Sequence, residues 1–356
     1  MAYFDCRETK RNTASALAFE QDLEANLREL HEELLDGAWQ PGPSICFINM
    51  RPRPREVWAS GFRDRVVHHL LYNRVAPRIE ATFIADSCAC IPGRGTLYAA
   101  ERLDAKIHSA TQGWQRPAWY LKCDVASFFV SIDKRILGAQ LERRIAEPWW
   151  RALALQILLH DPRQGAEFQS TPAQMALVPP HKRLLGQPAH LGLPIGNLSS
   201  QFFANVYLDL LDQHVKHRLR ARHYVRYVDD FVLVDPSPQT LNGWHAAIGE
   251  LLERELRLEL NESKTVLQPV ARGVDFAGHV IAPHRRTIRR RTFNDALARL
   301  AAMPAEEVHQ SANSYFGLLR QATASHTDRS RLARLVRRRG HAVDYRLTKS
   351  YRRNGV

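Results

Sequence analysis

Residues 224–234 constrain the fold of this chain more strongly than any other segment. They read Tyr-Val-Arg-Tyr-Val-Asp-Asp-Phe-Val-Leu-Val, so two runs of β-branched and aromatic residues flank Asp229 and Asp230. Such runs favour extended strands. The polar pair between them marks the place where the chain reverses. We therefore predict a β-hairpin with both aspartates at its tip.

The adjacent carboxylates of Asp229 and Asp230 indicate a cation site. Two carboxylates held side by side repel each other unless a cation lies between them. Mg²⁺ prefers a few carboxylate oxygens together with waters or phosphates. An ordinary polar turn also favours aspartate, so the pair alone leaves both interpretations open.

A further aspartate follows a second apolar run. Residues 119–123 predict a buried strand that ends at Asp124, and two aromatic residues follow at Phe128 and Phe129. An aspartate at the end of a buried strand is costly unless it is paired or binds a metal. We therefore predict that Asp124 is the third carboxylate of the site, with a helix cap as the alternative. Asp133 is the predicted cap of a helix at 134–146.

The charge of the chain favours a polyanionic partner. Its 356 residues include 50 Lys and Arg against 37 Asp and Glu, a formal net charge of +13. Nucleic acid is the first candidate partner and an anionic membrane the second. The chain lacks an eighteen-residue apolar run, an apolar signal core in residues 1–10 and a zinc-type cysteine spacing. We expect a cytoplasmic protein with reduced thiols.

The remaining patterns predict mostly helices. A single helix is predicted at 14–36, with Thr13 as its cap and Gly37 as its stop. The other predicted helices are 62–80, 97–107, 149–159, 199–219 and 241–257. The prolines between 164 and 190 predict a long surface loop, and residues 273–280 predict a second hairpin.

The composition changes near residue 283, where we predict a domain boundary. Two amphipathic helices, at 292–303 and 305–320, lie between two arginine-rich stretches. Because the charge is so one-sided, a grip on a phosphate backbone is favoured over charge that only aids solubility. The first stretch contains Arg285, Arg286, Arg289, Arg290 and Arg291, and the second spans 329–339.

These motifs resemble those of reverse transcriptases over about residues 51–282. Tyr227-Val228-Asp229-Asp230 resembles the metal-binding hairpin of that family, and Asp124 with Phe128-Phe129 resembles its first carboxylate motif. The resemblance implies an α+β, right-hand polymerase fold with fingers, a ferredoxin-like palm containing an antiparallel sheet, and a helical thumb. The implied domains are an N-terminal helical extension (1–50), fingers and palm (51–283), and a basic thumb (284–356).

The same resemblance implies an RNA-directed DNA polymerase and its site residues. Asp124, Asp229 and Asp230 would be catalytic and, with Val125, would hold two Mg²⁺ ions, with Mn²⁺ as a substitute. Phe129 occupies the position that blocks the ribose 2′-hydroxyl. The partners would be template RNA, the RNA/DNA hybrid and deoxynucleoside triphosphates. The implied nucleotide-binding residues are Arg65, Arg94, Phe129, Ile195, Gln201 and Lys264.

Three segments, at 62–69, 89–95 and 193–201, resemble the reverse transcriptases of diversity-generating retroelements. Those enzymes copy a template-repeat RNA with errors at adenines and work with a small basic accessory protein. Many accurate reverse transcriptases carry Gln where this chain has Ile195, and an aliphatic side chain cannot hydrogen-bond the nucleotide. Antiviral-defence and retron-like reverse transcriptases are the alternatives within the family. A non-catalytic RNA-binding protein and a metal-dependent nuclease are the alternatives outside it.

Overall fold

The computed structural model describes residues 1–8, 12–51 and 53–352, and the chain divides into two discontinuous units. We call these the first and second unit and describe each by itself. The first unit contains Met1–Ile91, Val125–Leu219 and Ala246–Asn261; the second contains Pro92–Asp124, Arg220–His245 and the chain from Glu262 onward.

The described residues form helices and short strands. The helices are α1 (Ala2–Glu8), α2 (Ala14–Gln21), α3 (Leu23–Asp36), α4 (Phe62–Glu80), α5 (Thr96–Ala110), α6 (Phe128–Ser131), α7 (Lys134–Arg144), α8 (Pro148–Leu159), α9 (Pro172–Ala176), α10 (Leu198–Gln213), α11 (Pro238–Leu251), α12 (Arg290–Ala302), α13 (Ala305–Leu319) and α14 (His326–Arg338). The strands are β1 (Ile45–Asn49), β2 (Arg55–Ala59), β3 (Ser87–Cys88), β4 (Trp119–Asp124), β5 (Glu167–Phe168), β6 (His223–Tyr227), β7 (Asp230–Asp235), β8 (Val266–Pro269), β9 (Val274–Phe276), β10 (His279–Ala282), β11 (Arg285–Ile288), β12 (Ala342–Val343) and β13 (Ser350–Tyr351). Single π-helical turns extend α10 over His214–Arg218 and α11 over Leu252–Leu256.

The core of the first unit forms where α4 packs against α10. The helix predicted at 62–80 is confirmed at both ends. Val67 and Leu71 of α4 are fully buried, as are Phe202 and Phe203 of α10. Burying apolar side chains of this size stabilises the pair of helices by about 1.5–3 kcal/mol for each side chain.

The single helix predicted at 14–36 is wrong, because the chain breaks at Asp22. Its backbone angles, φ −125° and ψ 52°, lie outside the helical region. The Asn26 side chain donates a hydrogen bond to the Phe19 carbonyl at 2.9 Å and satisfies one helix-end acceptor. The apolar spacing continues across the break, so periodicity alone could not reveal it. Thr13 caps α2, and Gly37 ends α3 at φ 71°, as predicted.

The segment 164–190 is more ordered than the predicted loop. Its strand β5 pairs in parallel with β1, which also pairs antiparallel with β2. A capping box formed by Thr171 and Gln174 begins the short helix α9. The buried carboxylate of Glu56 accepts a hydrogen bond from the Leu184 N–H at 2.7 Å. These contacts attach the segment to β2 within the first unit.

The second unit is built on an antiparallel sheet in which the strand order is β6-β7-β4-β8. Phe231, Val232, Leu233 and Val234 of β7 are all fully buried. Burial on both faces explains why this strand reads as a continuous apolar run and not as an alternating pattern. Helix α5 packs against β6 and β7.

A smaller sheet and three helices complete the second unit. Strand β10 pairs antiparallel with β9 and with β11, and the hairpin predicted at 273–280 is confirmed. The division into three domains with a boundary near 283 stays a prediction. Helices α12, α13 and α14 enclose a core that contains Phe293, Leu300, Val308, Phe316, Leu332 and Val336.

Strand pairing that is mostly antiparallel, with a parallel pair between β1 and β5, together with the many helices, confirms the predicted α+β class. Among the described helices, none combines the length and the hydropathy that crossing a bilayer requires. All five cysteines are free thiols.

The loop between Gly192 and Asn197 is clamped against β2. The Trp58 N–H donates to the Ile195 carbonyl at 2.7 Å, and the Ser60 N–H donates to the Asn197 side chain at 3.2 Å. Between these two bonds, Gly196 adopts φ 130°. A Cβ atom there would lie 2.9 Å from Val57 Cγ1 and 3.1 Å from the Trp58 carbonyl oxygen.

We expect Gly196→Ala to lower the free energy of unfolding by about 2–3 kcal/mol. Alanine is strained at this φ angle, and the new methyl group would lie too close to Val57 and to the Trp58 carbonyl. Urea denaturation measures the change. The matched control is Gly243→Ala in α11, where no atom lies within 4 Å of the added Cβ. That control should raise stability by about 0.5–1 kcal/mol. Equal effects of the two substitutions would contradict the clamp.

Candidate active site

The tip of the β6–β7 hairpin carries two of the three predicted carboxylates. Tyr227 pairs with Asp230 in the antiparallel register, so Val228 and Asp229 form a two-residue turn. Asp229 therefore lies in the turn, and Asp230 is the first residue of β7. The predicted hairpin is present, and its tip is rigid because both strands are buried.

The third carboxylate lies on the neighbouring strand. Strand β4 pairs with β7 so that Asp124 is directly opposite Asp230. Residues in such positions have Cβ atoms roughly 4.5–5.5 Å apart. The sheet thus brings Asp124, Asp229 and Asp230 to one end of itself, although Asp124 is far from the other two in sequence.

Two lysines neutralise two of these carboxylates. Lys264 Nζ lies 2.6 Å from Asp124 Oδ1, and Lys122 Nζ lies 3.0 Å from Asp230 Oδ2. Lys122 also donates a hydrogen bond to the Asp275 carbonyl at 2.8 Å. Lys264 was predicted to belong to the site, whereas Lys122 was missed. Its position two residues before Asp124 on a strand, hence on the same face, was the available signal.

Burial makes the aspartates of the hairpin reluctant to ionise. Burial, followed by the negative charge of Asp124, raises the pKa of Asp229 to about 6. Burial also raises the pKa of Asp230 to about 6, although Lys122 opposes the shift. An added cation would therefore stabilise the ionised form of these two buried carboxylates.

The donor set suits a hard divalent cation. Asp230 Oδ1 is buried and, within the described residues, has no hydrogen-bond partner. Carboxylate oxygens are the ligands that Mg²⁺ prefers. Over residues 1–8, 12–51 and 53–352, no three His, Cys, Asp or Glu side chains are grouped closely enough to hold a metal ion as they stand. The three carboxylates therefore suit Mg²⁺ by their chemistry, because they are acidic and partly buried and because Asp230 Oδ1 is available as a ligand.

The other predicted site residues are distributed over both units. In the second unit, Arg94 follows the turn at Gly93 (φ 78°) and precedes α5. In the first unit, Arg65 of α4 is half-buried, its Nε has no hydrogen-bond partner in the part of the chain described, and burial lowers its pKa. Val125 is buried, and its backbone forms an isolated antiparallel β-bridge with Leu260.

Phe129 and Ile195 belong to one local arrangement of the first unit. The Phe129 carbonyl accepts a hydrogen bond from the Leu193 N–H at 2.8 Å, so the segment after Asp124 holds one end of the loop that carries Ile195. The Ile195 side chain is half-buried, and Gln201 is exposed on α10.

The arginines between 285 and 291 differ in their surroundings. Arg286 is only 7% exposed, donates to the Gln321 carbonyl at 3.0 Å and lies 3.4 Å from acidic oxygens of Glu101 and Asp104. Its predicted contact with nucleic acid is therefore corrected: the guanidinium is used inside the protein.

Arg285 is exposed. Three further members form ion pairs: Arg289 with Asp275, Arg290 with Asp328 at 3.2 Å, and Arg291 with Asp295 at 3.8 Å.

Comparison with known proteins defines the class. Residues 54–281 match the family model described as reverse transcriptase (RNA-dependent DNA polymerase). Since this match covers more than half of the chain, the chain belongs to the reverse transcriptase family and is an RNA-directed DNA polymerase by class.

Individual proteins match this chain at low sequence identity. Protein YkfC of Escherichia coli strain K12 is 24% identical in an alignment of 331 residues, with 83% of this chain and 80% of the relative covered. Telomerase from Candida albicans, solved with a TWJ fragment of telomeric RNA, is 14% identical over 84% of this chain, with a TM-score of 0.45. Apo telomerase from Candida tropicalis, truncated from its C-terminal domain, is 11% identical over 74% of this chain, with a TM-score of 0.48. The chain spans 55% and 60% of these two telomerase chains.

In metal-free buffer, we expect the contribution of Asp229 and Asp230 to the free energy of unfolding to fall as the pH rises from 3.8 to about 6, opposite in sign to the contribution of buried histidines such as His68, whose pKa burial lowers. In that window each of these two carboxylates binds more protons in the folded state than in the unfolded state, so its contribution to stability decreases with pH. Asp229→Asn removes one of these contributions, so its stability relative to wild type should increase with pH across this window and exceed that of wild type at pH 7 by about 1–2 kcal/mol. Urea denaturation at several pH values measures both effects.

The control for this experiment is Asp295→Asn, which alters a carboxylate that is 73% exposed. It should leave the pH dependence unchanged. An Asp229→Asn variant with the same pH dependence as wild type, or with lower stability at pH 7, would contradict a buried Asp229 carboxylate that destabilises the fold.

Proposed function

We propose that this chain copies a template RNA into cDNA, with Asp124, Asp229 and Asp230 as its catalytic carboxylates. The observation that carries the proposal is the register of β4 against β7, which sets Asp124 opposite Asp230 beside the turn of Asp229. Three carboxylates on adjacent strands of a buried sheet form an expensive arrangement that a pure RNA-binding protein does not need.

Asp124, Asp229 and Asp230, with the Val125 carbonyl, would hold two Mg²⁺ ions, and Mn²⁺ would substitute. When bound, such ions activate the attacking hydroxyl and stabilise charge on the phosphates. Lys264 and Lys122 would hold the carboxylates of Asp124 and Asp230 in place through their ion pairs. Lys122 holds Asp230 at 3.0 Å, which restrains that carboxylate more than Asp229 and supports a weaker metal contribution from Asp230.

The remaining residues would bind the incoming deoxynucleoside triphosphate. Arg65 supports this role, because a buried Nε without a partner in the described residues favours an anionic ligand. Arg94 lies in a glycine-flanked loop at the start of α5, where backbone N–H groups also attract phosphate. Phe129 would exclude the ribose 2′-hydroxyl. Ile195, Gln201 and Lys264 are the other residues that we propose for nucleotide binding.

For the nucleic acid itself, exposed arginines are the candidates. Arg285 is exposed in β11, and Arg334, Arg337 and Arg338 are exposed at helical spacing on one side of α14. Contacts of this kind would be with the phosphate backbone of the template or the RNA/DNA hybrid.

We expect Asp229→Asn to abolish primer extension on an RNA template while leaving RNA affinity within about threefold, because the proposed phosphate contacts lie elsewhere. Purified protein is incubated with primer, template, deoxynucleotides and Mg²⁺, and RNA binding is measured by fluorescence anisotropy. Asp295→Asn is the matched control and should extend the primer at the wild-type rate.

The result also separates the rival functions. Degradation of the template by the wild-type protein would indicate a nuclease. Tight binding with neither extension nor degradation would indicate a binding protein. Extension by Asp229→Asn at the wild-type rate would remove this aspartate from the proposed site.

Within the family we propose the diversity-generating type, which is error-prone at adenines and is assisted by a small basic accessory protein. The loop that carries Ile195 supports this. Its backbone is anchored on both sides, by Trp58 at Ile195 and by Phe129 at Leu193. The position of residue 195 is thus well defined, while its side chain offers no hydrogen bond with which to check a nucleotide.

We expect Ile195→Gln to lower misincorporation opposite template adenines by about tenfold, since one hydrogen bond to the nucleotide adds discrimination of this order. Sequencing of cDNA made from a defined RNA template measures the error spectrum. Ile195→Leu is the control, because it keeps an aliphatic side chain and should keep the errors. Identical spectra for the Gln and Leu variants would remove Ile195 as the cause.

A further inference from the structure

The turn that holds Asp229 contains an unfavourable backbone conformation. Val228 has φ 58°, in the left-handed region. A β-branched residue rarely adopts this region, because its Cβ substituents crowd the backbone. Of the two turn residues only Val228 has a positive φ, and a hairpin turn of that kind favours glycine at this place. Some other interaction must therefore stabilise the turn.

Arg226 supplies that interaction. Its Nη1 donates a hydrogen bond to the Val228 carbonyl oxygen at 2.8 Å. The residue is fully buried, which is rare for arginine. Its place on β6 is fixed by pairing with Phe231. The guanidinium is charged and planar, and strand pairing and full burial fix its position. Its hydrogen bond to Val228 is therefore strong and well directed.

The accepted carbonyl belongs to the peptide group that joins Val228 to Asp229. Holding its oxygen fixes the plane of that peptide, and with it the direction in which Asp229 leaves the turn. The same cation lies close enough to favour the ionised form of Asp229. Neither effect requires Arg226 to touch a substrate.

We propose that Arg226 is a positioning residue for Asp229: its hydrogen bond to Val228 holds the strained turn that aims the carboxylate. This inference rests on the proposed function of Asp229. It goes beyond that function by making activity depend on a buried side chain that would contact neither metal nor nucleotide.

The strain at Val228 provides a specific test. Glycine adopts a positive φ without steric penalty. If Arg226 acts by holding the strained residue, then Val228→Gly removes part of the need for Arg226. A merely structural arginine would not be compensated by a change in the turn.

The experiment is a double-mutant cycle of wild type, Arg226→Met, Val228→Gly and the double variant. Steady-state primer extension gives kcat and the KM for deoxynucleotide, and EPR gives the affinity for Mn²⁺ without turnover. We expect Arg226→Met to lower kcat by about tenfold or more with KM changed less than about threefold. It should also weaken Mn²⁺ binding. In the Arg226→Met background, adding Val228→Gly should restore at least about half of the loss on a logarithmic scale.

Independent effects of the two substitutions would overturn the inference, as would a kcat for Arg226→Met within about twofold of wild type. If Arg226→Met does not fold, Arg226→Lys takes its place in the same cycle. Lysine keeps the charge but loses the planar fork, so the expected loss is smaller and is again reduced by Val228→Gly.

Two further variants make the outcome specific. Arg144→Met breaks a partly buried ion pair with Asp209, 2.7 Å long and remote from the hairpin in sequence. It should lower the melting temperature and leave kcat unchanged. Asp229→Asn separates the two proposals. If the wild type does not extend a primer, the proposed function fails. If it does, Asp229→Asn does not, and Arg226→Met equals wild type, only the positioning role fails.

Discussion

The antiparallel register of β4 against β7 is the constraint on which the candidate site depends. It sets Asp124 opposite Asp230, and the two-residue turn between β6 and β7 adds Asp229 beside them. A shift of one residue would send Asp124 to the other face of the sheet. The buried side chains of β7, from Phe231 to Val234, oppose such a shift because each would have to enter a space packed around a neighbour of different shape.

The same register creates an electrostatic cost that the fold only partly relieves. Lys264 pairs with Asp124 and Lys122 with Asp230, while burial still raises the pKa of Asp229 and of Asp230 to about 6. Strain at Val228 adds to that cost. Residues that destabilise the protein yet occupy one end of a rigid sheet are typical of sites selected for chemistry.

Local signals explain what the sequence predicted correctly. The hairpin, the strand ending at Asp124 and helix α4 all depend on apolar runs and on caps within a few residues of one another. The roles of Arg226 and Arg286 were missed because tertiary contacts determine their surroundings. Arg226 looks like any polar residue in a strand, and its burial follows from packing. Arg286 looks like a member of a basic cluster until its acidic neighbours, distant in sequence, are known. The break at Asp22 interrupts a helix whose apolar spacing continues unchanged.

Anomalous X-ray diffraction from crystals of the intact chain soaked in Mn²⁺ would show whether these carboxylates bind a metal ion together. We expect an anomalous peak within coordination distance of carboxylate oxygens from both Asp124 and Asp229. Strong Mn²⁺ peaks elsewhere, with none between these two residues in a preparation that extends primers, would contradict it.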